Sequence, residues 1–458
     1  GRLTRDSLPQ SYATAYELTL LNDRQYVALR ELLSDMHVAD IAEVFSEIDD
    51  RDSMLRLFRL LPKETAAETF AYLEPDVQQN MIEAMTDVEL RSILDEMFLD
   101  DCVDLIEEMP ANVVQRVMRN TTKENRALIN QYLQYPEDSA GSLMTNEYVC
   151  LKLGMTVREA LAVIRRDGVD KETIETCFIA TKDRKLLGEV TLREIVLADP
   201  DTLIDDIMED YTLSVRTHDD KEEVALLFSK YDVTSLPVVD QENRLVGVIT
   251  IDDAVDVIQD ENTEDFEMMA GMAPSDDTYL KTSVVTLAKH RIVWLLVLMF
   301  SAMITGAMLE HFEAAISAIP LLVSFLPMLM DTGGNCGSQA STMIIRGMAL
   351  DEIELPDVLR VWWKEVRVAI LCSIVLAVFN FLRIYIQYHD LEVAAVVCCT
   401  LICTVLIAKS LGCLLPMLAK RLKLDPALMA APMITTITDA CSILVFFRFA
   451  LAFLASRL

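Results

Sequence analysis

The distribution of apolar and polar residues divides the chain near residue 288. Ahead of that point, apolar positions recur at helical spacing in short runs such as 66–75, AAETFAYLEP. Pro62, Pro75 and Pro110 punctuate these runs, and no glycine occurs between Gly1 and Gly141. Short amphipathic runs with proline at their edges and no glycine predict many short helices, so residues 1–130 read as a helical superhelix. Beyond residue 288 the apolar stretches become continuous. Residues 292–309, 314–330, 368–382 and 393–408 contain no Asp, Glu, Lys or Arg, and a last apolar stretch runs from about 426 to 455. A hydrocarbon core of about 30 Å needs about 20 helical residues. With their flanks these runs predict five membrane helices, at about 287–310, 314–345, 364–388, 391–418 and 426–455, in a domain spanning 285–458.

Between the two patterns lies an internal repeat. LMTNEYVCLKLGMTVREALAVI followed by KLLGEVTLREIV is echoed by IMEDYTLSVRTHDDKEEVALLF followed by RLVGVITIDDAV. Each copy predicts helix, strand, strand, helix, over 138–200 and 201–258, and recognising such a duplication comes before any choice of fold. The last predicted helix continues through 252–272. On it Asp253, Asp256, Asp260, Glu264 and Glu267 follow at intervals of 3, 4, 4 and 3, which sets five carboxylates along one face. Like charges so placed destabilise a helix by about 0.2–0.5 kcal/mol per pair. The face is either a solvated one or a ligand surface for hard divalent cations, which prefer oxygen.

Charge sharpens the division. From Lys289 onward thirteen Lys and Arg meet twelve Asp and Glu, which leaves 27 basic against 60 acidic residues in 1–288, so the front carries −33 against the chain's net −32. Such a surface repels nucleic acid and anionic lipid and suits cations, basic partners or plain solvation. The ten cysteines show no paired CxxC spacing and read as thiols of a reducing compartment. Lys289 and Arg291, then Arg360, Lys364 and Arg367, then Lys420, Arg421 and Lys423 alternate along the spans with Glu310, Glu313, Asp390 and Glu392. The positive-inside rule therefore predicts a cytoplasmic acidic half and an outer C-terminus.

Two intramembrane segments carry candidate chemistry. In 432–447, PMITTITDACSILVFF, Asp439 has no neighbouring base and is flanked by Thr435, Thr436 and Thr438. A carboxylate at membrane depth costs roughly 2.5–3.5 kcal/mol on insertion scales and marks an ion pathway more often than a packing contact. Arg448 lies nine residues on, about 13.5 Å along the axis and on the opposite side, out of pairing range. In 325–342, FLPMLMDTGGNCGSQAST, the glycines 333, 334 and 337 stand among Asp331, Asn335, Ser338 and Gln339. This composition predicts a frayed or broken helix whose freed carbonyls could meet cations, or a close small-residue helix contact.

With these residues in view the chain resembles the MgtE family of magnesium channels or transporters over almost its whole length. The most specific matches are DTGGNCGSQAST with IIRGMAL after it, and DPALMAAPMITTITDA around Asp439; Ala431 departs from relatives that place a polar residue there. The resemblance implies a multidomain membrane protein: a helical N domain, a CBS pair, an acidic plug helix and five transmembrane helices. It also implies a homodimer in the bacterial inner membrane, with Asp439 facing its symmetry mate across a pore lined by Thr435, Gly334, Asn335 and Ser338. Two carboxylates would then share one hydrated Mg2+, an ion that dehydrates reluctantly. Regulatory Mg2+ is implied at Glu68, Asp100, Asp104, Gly141, Glu222, Ser229, Asp232, Asp253, Asp256, Glu261, Glu264 and Asp265. ATP at the CBS pair is implied through Thr250 and Asp253, which alternatively cap a helix; the first copy departs with Thr191 and Glu194. Two rivals come from other classes: a CBS-regulated secondary transporter or exporter of divalent cations, and an intramembrane aspartic protease suggested by the DTG at Asp331.

Overall fold

The computed structural model describes residue 20 and residues 25–46, 48, 50–210, 213–275, 279, 282–313, 317, 319–429 and 431–454. The chain forms two compact units divided after Val257.

Among the described residues the first unit has nine short helices ahead of the repeat: α1 (Tyr26–Ser34), α2 (Val38–Ser46), α3 (Arg51–Phe58), α4 (Lys63–Ala71), α5 (Pro75–Ala84), α6 (Asp87–Leu94), α7 (Leu99–Glu108), α8 (Ala111–Asn120) and α9 (Lys123–Tyr132). Local chemistry sets their ends. Pro75 sits at the first helical position of α5, and Thr86 with Glu89 closes a capping box on α6. Packing runs mostly between a helix and the next but one: α2 with α4, α3 with α5, α4 with α6, α6 with α8. The core along this array includes Phe45, Phe58 and Phe70 in edge-on contact at 6.0 and 6.2 Å.

After the short α10 (Ala140–Leu143) come β1 (Tyr148–Leu151), α11 (Val157–Asp167), β2 (Thr173–Ala180), β3 (Leu186–Thr191) and α12 (Leu192–Leu197). The second copy repeats this order with β4 (Val215–Arg216), α13 (Lys221–Tyr231), β5 (Ser235–Val239), β6 (Leu245–Thr250) and α14 (Ile251–Met269). Each copy thus begins with a strand that the helix–strand–strand–helix expectation omitted. β1 and β4 are short and run parallel to the middle strand of their sheets, β2 and β5, which pair antiparallel with β3 and β6. A strand of two to four residues offers too little alternation to read. The hairpins of the two copies meet through Leu245 N–H to the Arg184 carbonyl (2.8 Å) and Leu186 N–H to the Asn243 carbonyl (3.2 Å).

The second unit holds α15 (Val284–His311), α16 (Leu326–Ala349), α17 (Val358–Tyr388), α18 (Leu391–Arg421) and α19 (Ala431–Phe453). Among the described residues four stretches are long and apolar enough to cross a membrane: Val284–His311, Leu355–Tyr388, Leu391–Arg421 and Pro426–Phe453. The remaining helix, α16, follows a 3-10 turn at Pro320–Phe325 and is too polar to qualify.

The expected break in 325–342 does not occur, because α16 is one unbroken helix. Each glycine costs a helix about 1 kcal/mol relative to alanine, but freed backbone groups in a dry bundle would cost more. The glycines serve instead as the small-residue contact. A side chain on Gly334 would overlap Thr435 of α19, and one on Gly412 of α18 would overlap the backbone oxygen of Gly337. The core around them contains Leu329, Val397, Leu401, Ile443 and Phe446. Among the described residues an ion pair lies inside this bundle: Lys409 Nζ of α18 stands 3.5 Å from Glu365 Oε2 of α17, with side chains 7% and 16% exposed.

Candidate functional site

In the first unit three carboxylates converge. Asp100 stands in the first turn of α7, Glu172 immediately before β2 and Asp253 in the first turn of α14, and one oxygen of each lies within 4.8 Å of the others. Asp100 is 8% exposed, and Asp100 Oδ1 and Glu172 Oε2 are buried with no hydrogen-bond partner. Thr250 Oγ lies 3.0 Å from Glu172 Oε1 and 2.9 Å from Asp253 Oδ2. One hydroxyl has one proton. It cannot satisfy both carboxylates fully, so the pair is short of donors.

Electrostatics says the same. Burial first, then Glu172 and Asp101, push Asp100 well above the usual carboxylate range. Burial, Glu172 and Asp252 push Asp253 up to about 8. Burial is also the first cause for Glu172, for Asp101 at about 6, and for Asp104 and Glu147 at about 7. Three largely desolvated carboxylates around a common point, two of their buried oxygens without a donor, fit a hard divalent cation.

A pH dependence follows with a definite sign. These groups bind protons more tightly folded than unfolded, so their contribution is complete while they are protonated and is lost as pH rises from about 4 through about 8. In chelator, the melting temperature of the first unit should fall by roughly 5 °C between pH 5 and pH 8. Mg2+ should restore it at pH 8 and do little at pH 5. A thermal scan showing the reverse slope would refute the assignment, and Glu172→Gln should flatten the profile.

The other expected regulatory residues are dispersed. Glu68 is exposed on α4 and, with Asp101, Asp252 and Asp256, surrounds the Tyr72 hydroxyl, raising its pKa after burial does. Asp104 follows Asp100 one turn along α7. Gly141 lies against Tyr135 and the Thr217 carbonyl, where a side chain would not fit. Glu222 starts α13, Ser229 lies in its last turn, and Asp232 ends it in a left-handed conformation with φ 53°. Ten residues of helix rise separate Glu222 from Asp232 by about 15 Å, so one chain does not bring them to a common ion. In the second unit Asp265 is raised to about 6 by burial, then by Asp425, Glu261 and Glu264.

Glu172, Asp101, Glu147 and Asp425 were not legible as site residues. Glu172 reads as a charge flanking a strand, and only the tertiary fold brings it to Asp253.

Thr250, the residue of the nucleotide expectation, lies at the carboxylate cluster. Its hydroxyl is engaged by Glu172 and Asp253, whereas an open cavity of about 470 Å³ lies beside the first copy, lined by Glu175, Thr176, Thr191, Arg193 and Thr234.

In the membrane unit Asp439 is half-buried on α19, and its Oδ1 is a buried oxygen with no partner. Its charged neighbour is another acid, Asp331 of α16. Thr435, one turn earlier, packs its methyl on Gly334, while Thr438 and Thr404 close around Gly333. Asn335 is exposed and Ser338 half-exposed, turned away from the buried Gly333 and Gly337. Arg448 is exposed and distant along the helix.

A duplicated CBS-type module, a helical array and a bundle of membrane-length apolar helices define a membrane transport protein. Family models agree: "Divalent cation transporter" matches residues 326–449, "MgtE intracellular N domain" 36–138, and "CBS domain" 140–201 and 204–260. The chain is 37% identical to the magnesium transporter MgtE of Thermus thermophilus over 423 residues, 92% of this chain and 93% of that one. It is 29% identical to the Bacillus subtilis magnesium transporter MgtE, over 96% of this chain and 97% of that one. The crystal structure of the soluble part of a magnesium transporter aligns at TM-score 0.52 and 29% identity, covering 55% of this chain and 99% of that one. The cytosolic domain of the Mg2+ channel MgtE in complex with ATP aligns at 0.50 and 38%, covering 53% and 99%. The chain belongs to the MgtE family.

Proposed function

We propose that this protein is a magnesium-selective channel of the inner membrane that admits Mg2+ down its electrochemical gradient and closes when cytoplasmic Mg2+ is high. The observation that carries the reading is Asp439: a partnerless carboxylate oxygen at membrane depth, beside a second acid, on a helix packed against the glycine face of α16. In a homodimer two such carboxylates share one hydrated divalent ion, with Thr435, Gly334, Asn335 and Ser338 beside it. The acidic half then lies in the cytoplasm and the C-terminus outside.

Closure is a linkage effect, because ions that bind one arrangement better shift the population toward it. Asp100, Glu172 and Asp253 form the nucleus of the sensor, Glu68, Asp104, Gly141 and Asp256 extend it, and Glu261, Glu264 and Asp265 form a second acidic cluster with Asp425. Glu222, Ser229 and Asp232 would have to bind between subunits. ATP, bound by a relative's cytosolic domain, is assigned to the cavity at Thr191 and Arg193, whose guanidinium suits a phosphate.

Patch recordings test the whole reading. Stepwise currents should appear with Mg2+ as the only permeant cation, and Asp253→Asn with Glu264→Gln should close only at about tenfold higher Mg2+, an equilibrium shift of about 1.4 kcal/mol. Currents in that variant that shut at the parent concentration remove the sensor. Flux without unitary steps favours a carrier instead.

A further inference from the structure

We propose that the first turns of α17 hold the headgroup of an anionic phospholipid. Arg360, Lys364 and Arg367 are spaced 4 and 3 residues apart, which places them on one face of the helix, and all three are exposed. None of them has a carboxylate within 4.0 Å among the described residues, although Asp357 precedes Arg360 by only three positions. The side-chain hydrogen bond recorded for the stripe is Arg367 Nε–H donating to the Trp363 carbonyl at 3.4 Å.

The neighbouring residues sort themselves by direction. Glu365, the one acid in these turns, points inward to Lys409. Trp362 also points inward, its Nε1–H donating to Ser410 Oγ at 3.2 Å. Trp363 and Leu359 point outward, 56% and 74% exposed. The outward face is therefore cationic and apolar, with its acid neutralised inside the bundle.

Its position fits a membrane surface. A helix of 31 residues is about 46 Å long, well beyond the hydrocarbon thickness of about 30 Å. The charge-free run 368–382 starts directly after Arg367, which sets the three cations at headgroup level and Trp363 at the depth aromatic side chains favour. Adjacent basic residues at that level attract anionic lipid.

The test uses the full chain with Trp294→Phe and Trp362→Phe, which leaves Trp363 as the single tryptophan. The protein is reconstituted in phosphatidylcholine vesicles containing a minor fraction of either brominated phosphatidylglycerol or brominated phosphatidylcholine. Trp363 fluorescence should be quenched about threefold more by the anionic lipid. Adding Arg360→Gln, Lys364→Gln and Arg367→Gln should bring the two lipids to parity, with an unchanged gel-filtration profile. Equal quenching in the parent background overturns the proposal. So does a preference that survives the triple substitution, which would mean bulk attraction rather than a site.

Discussion

Asp439→Ala is expected to reduce Mg2+ flux into dye-loaded vesicles at least about 100-fold, because a site for a doubly charged ion loses its carboxylate; that factor corresponds to about 2.7 kcal/mol. The same substitution should leave the protein as stable as before or more so. Insertion scales put the cost of an intramembrane Asp at roughly 2.5–3.5 kcal/mol, and Asp439 Oδ1 recovers none of it through a hydrogen bond within the chain. The two readouts must therefore move in opposite directions. A variant that unfolds, yet transports normally per folded molecule, would make Asp439 a packing residue and remove the pore assignment.

Lys409→Met is expected to destabilise the membrane unit by about 3–5 kcal/mol, since it leaves Glu365 buried without its counter-ion. Glu365→Met with Lys409→Met should recover most of that loss, because removing both charges also removes both desolvation penalties. Denaturation in detergent reads the cycle. If the double variant is no more stable than Lys409→Met alone, the ion pair is incidental and the damage lies in lost packing. Transport should follow stability here, in contrast to Asp439.

What could be read from the sequence depended on the range of the interaction. Proline-bounded helices, the repeat around LLGEV and LVGVI, and the apolar spans are local patterns, and the structure carries the corresponding elements. The polar run from Asp331 to Ser338 was legible as unusual but not as an unbroken helix. Its outcome depended on Thr435, Ala408 and Gly412 packing against the glycines from sequence positions about 70–100 residues away. Glu172 and Asp253 are 81 residues apart, and Glu365 and Lys409 are 44 apart; each looks ordinary until the fold makes it a neighbour. Thr250 shows a local motif with two readings, a nucleotide ligand or a helix cap. Its hydroxyl bonds Asp253 three residues on, as a cap would, and also reaches Glu172, a partner that only the tertiary fold supplies.

At Gly337 and Gly412 main chain touches main chain, with no rotamer in between that could flip to absorb a displacement. The two helices are welded at that point. Any rearrangement of the bundle must swing them together as one lever or be accommodated at another helix pair, and position 412 is closed to every amino acid that carries a side chain.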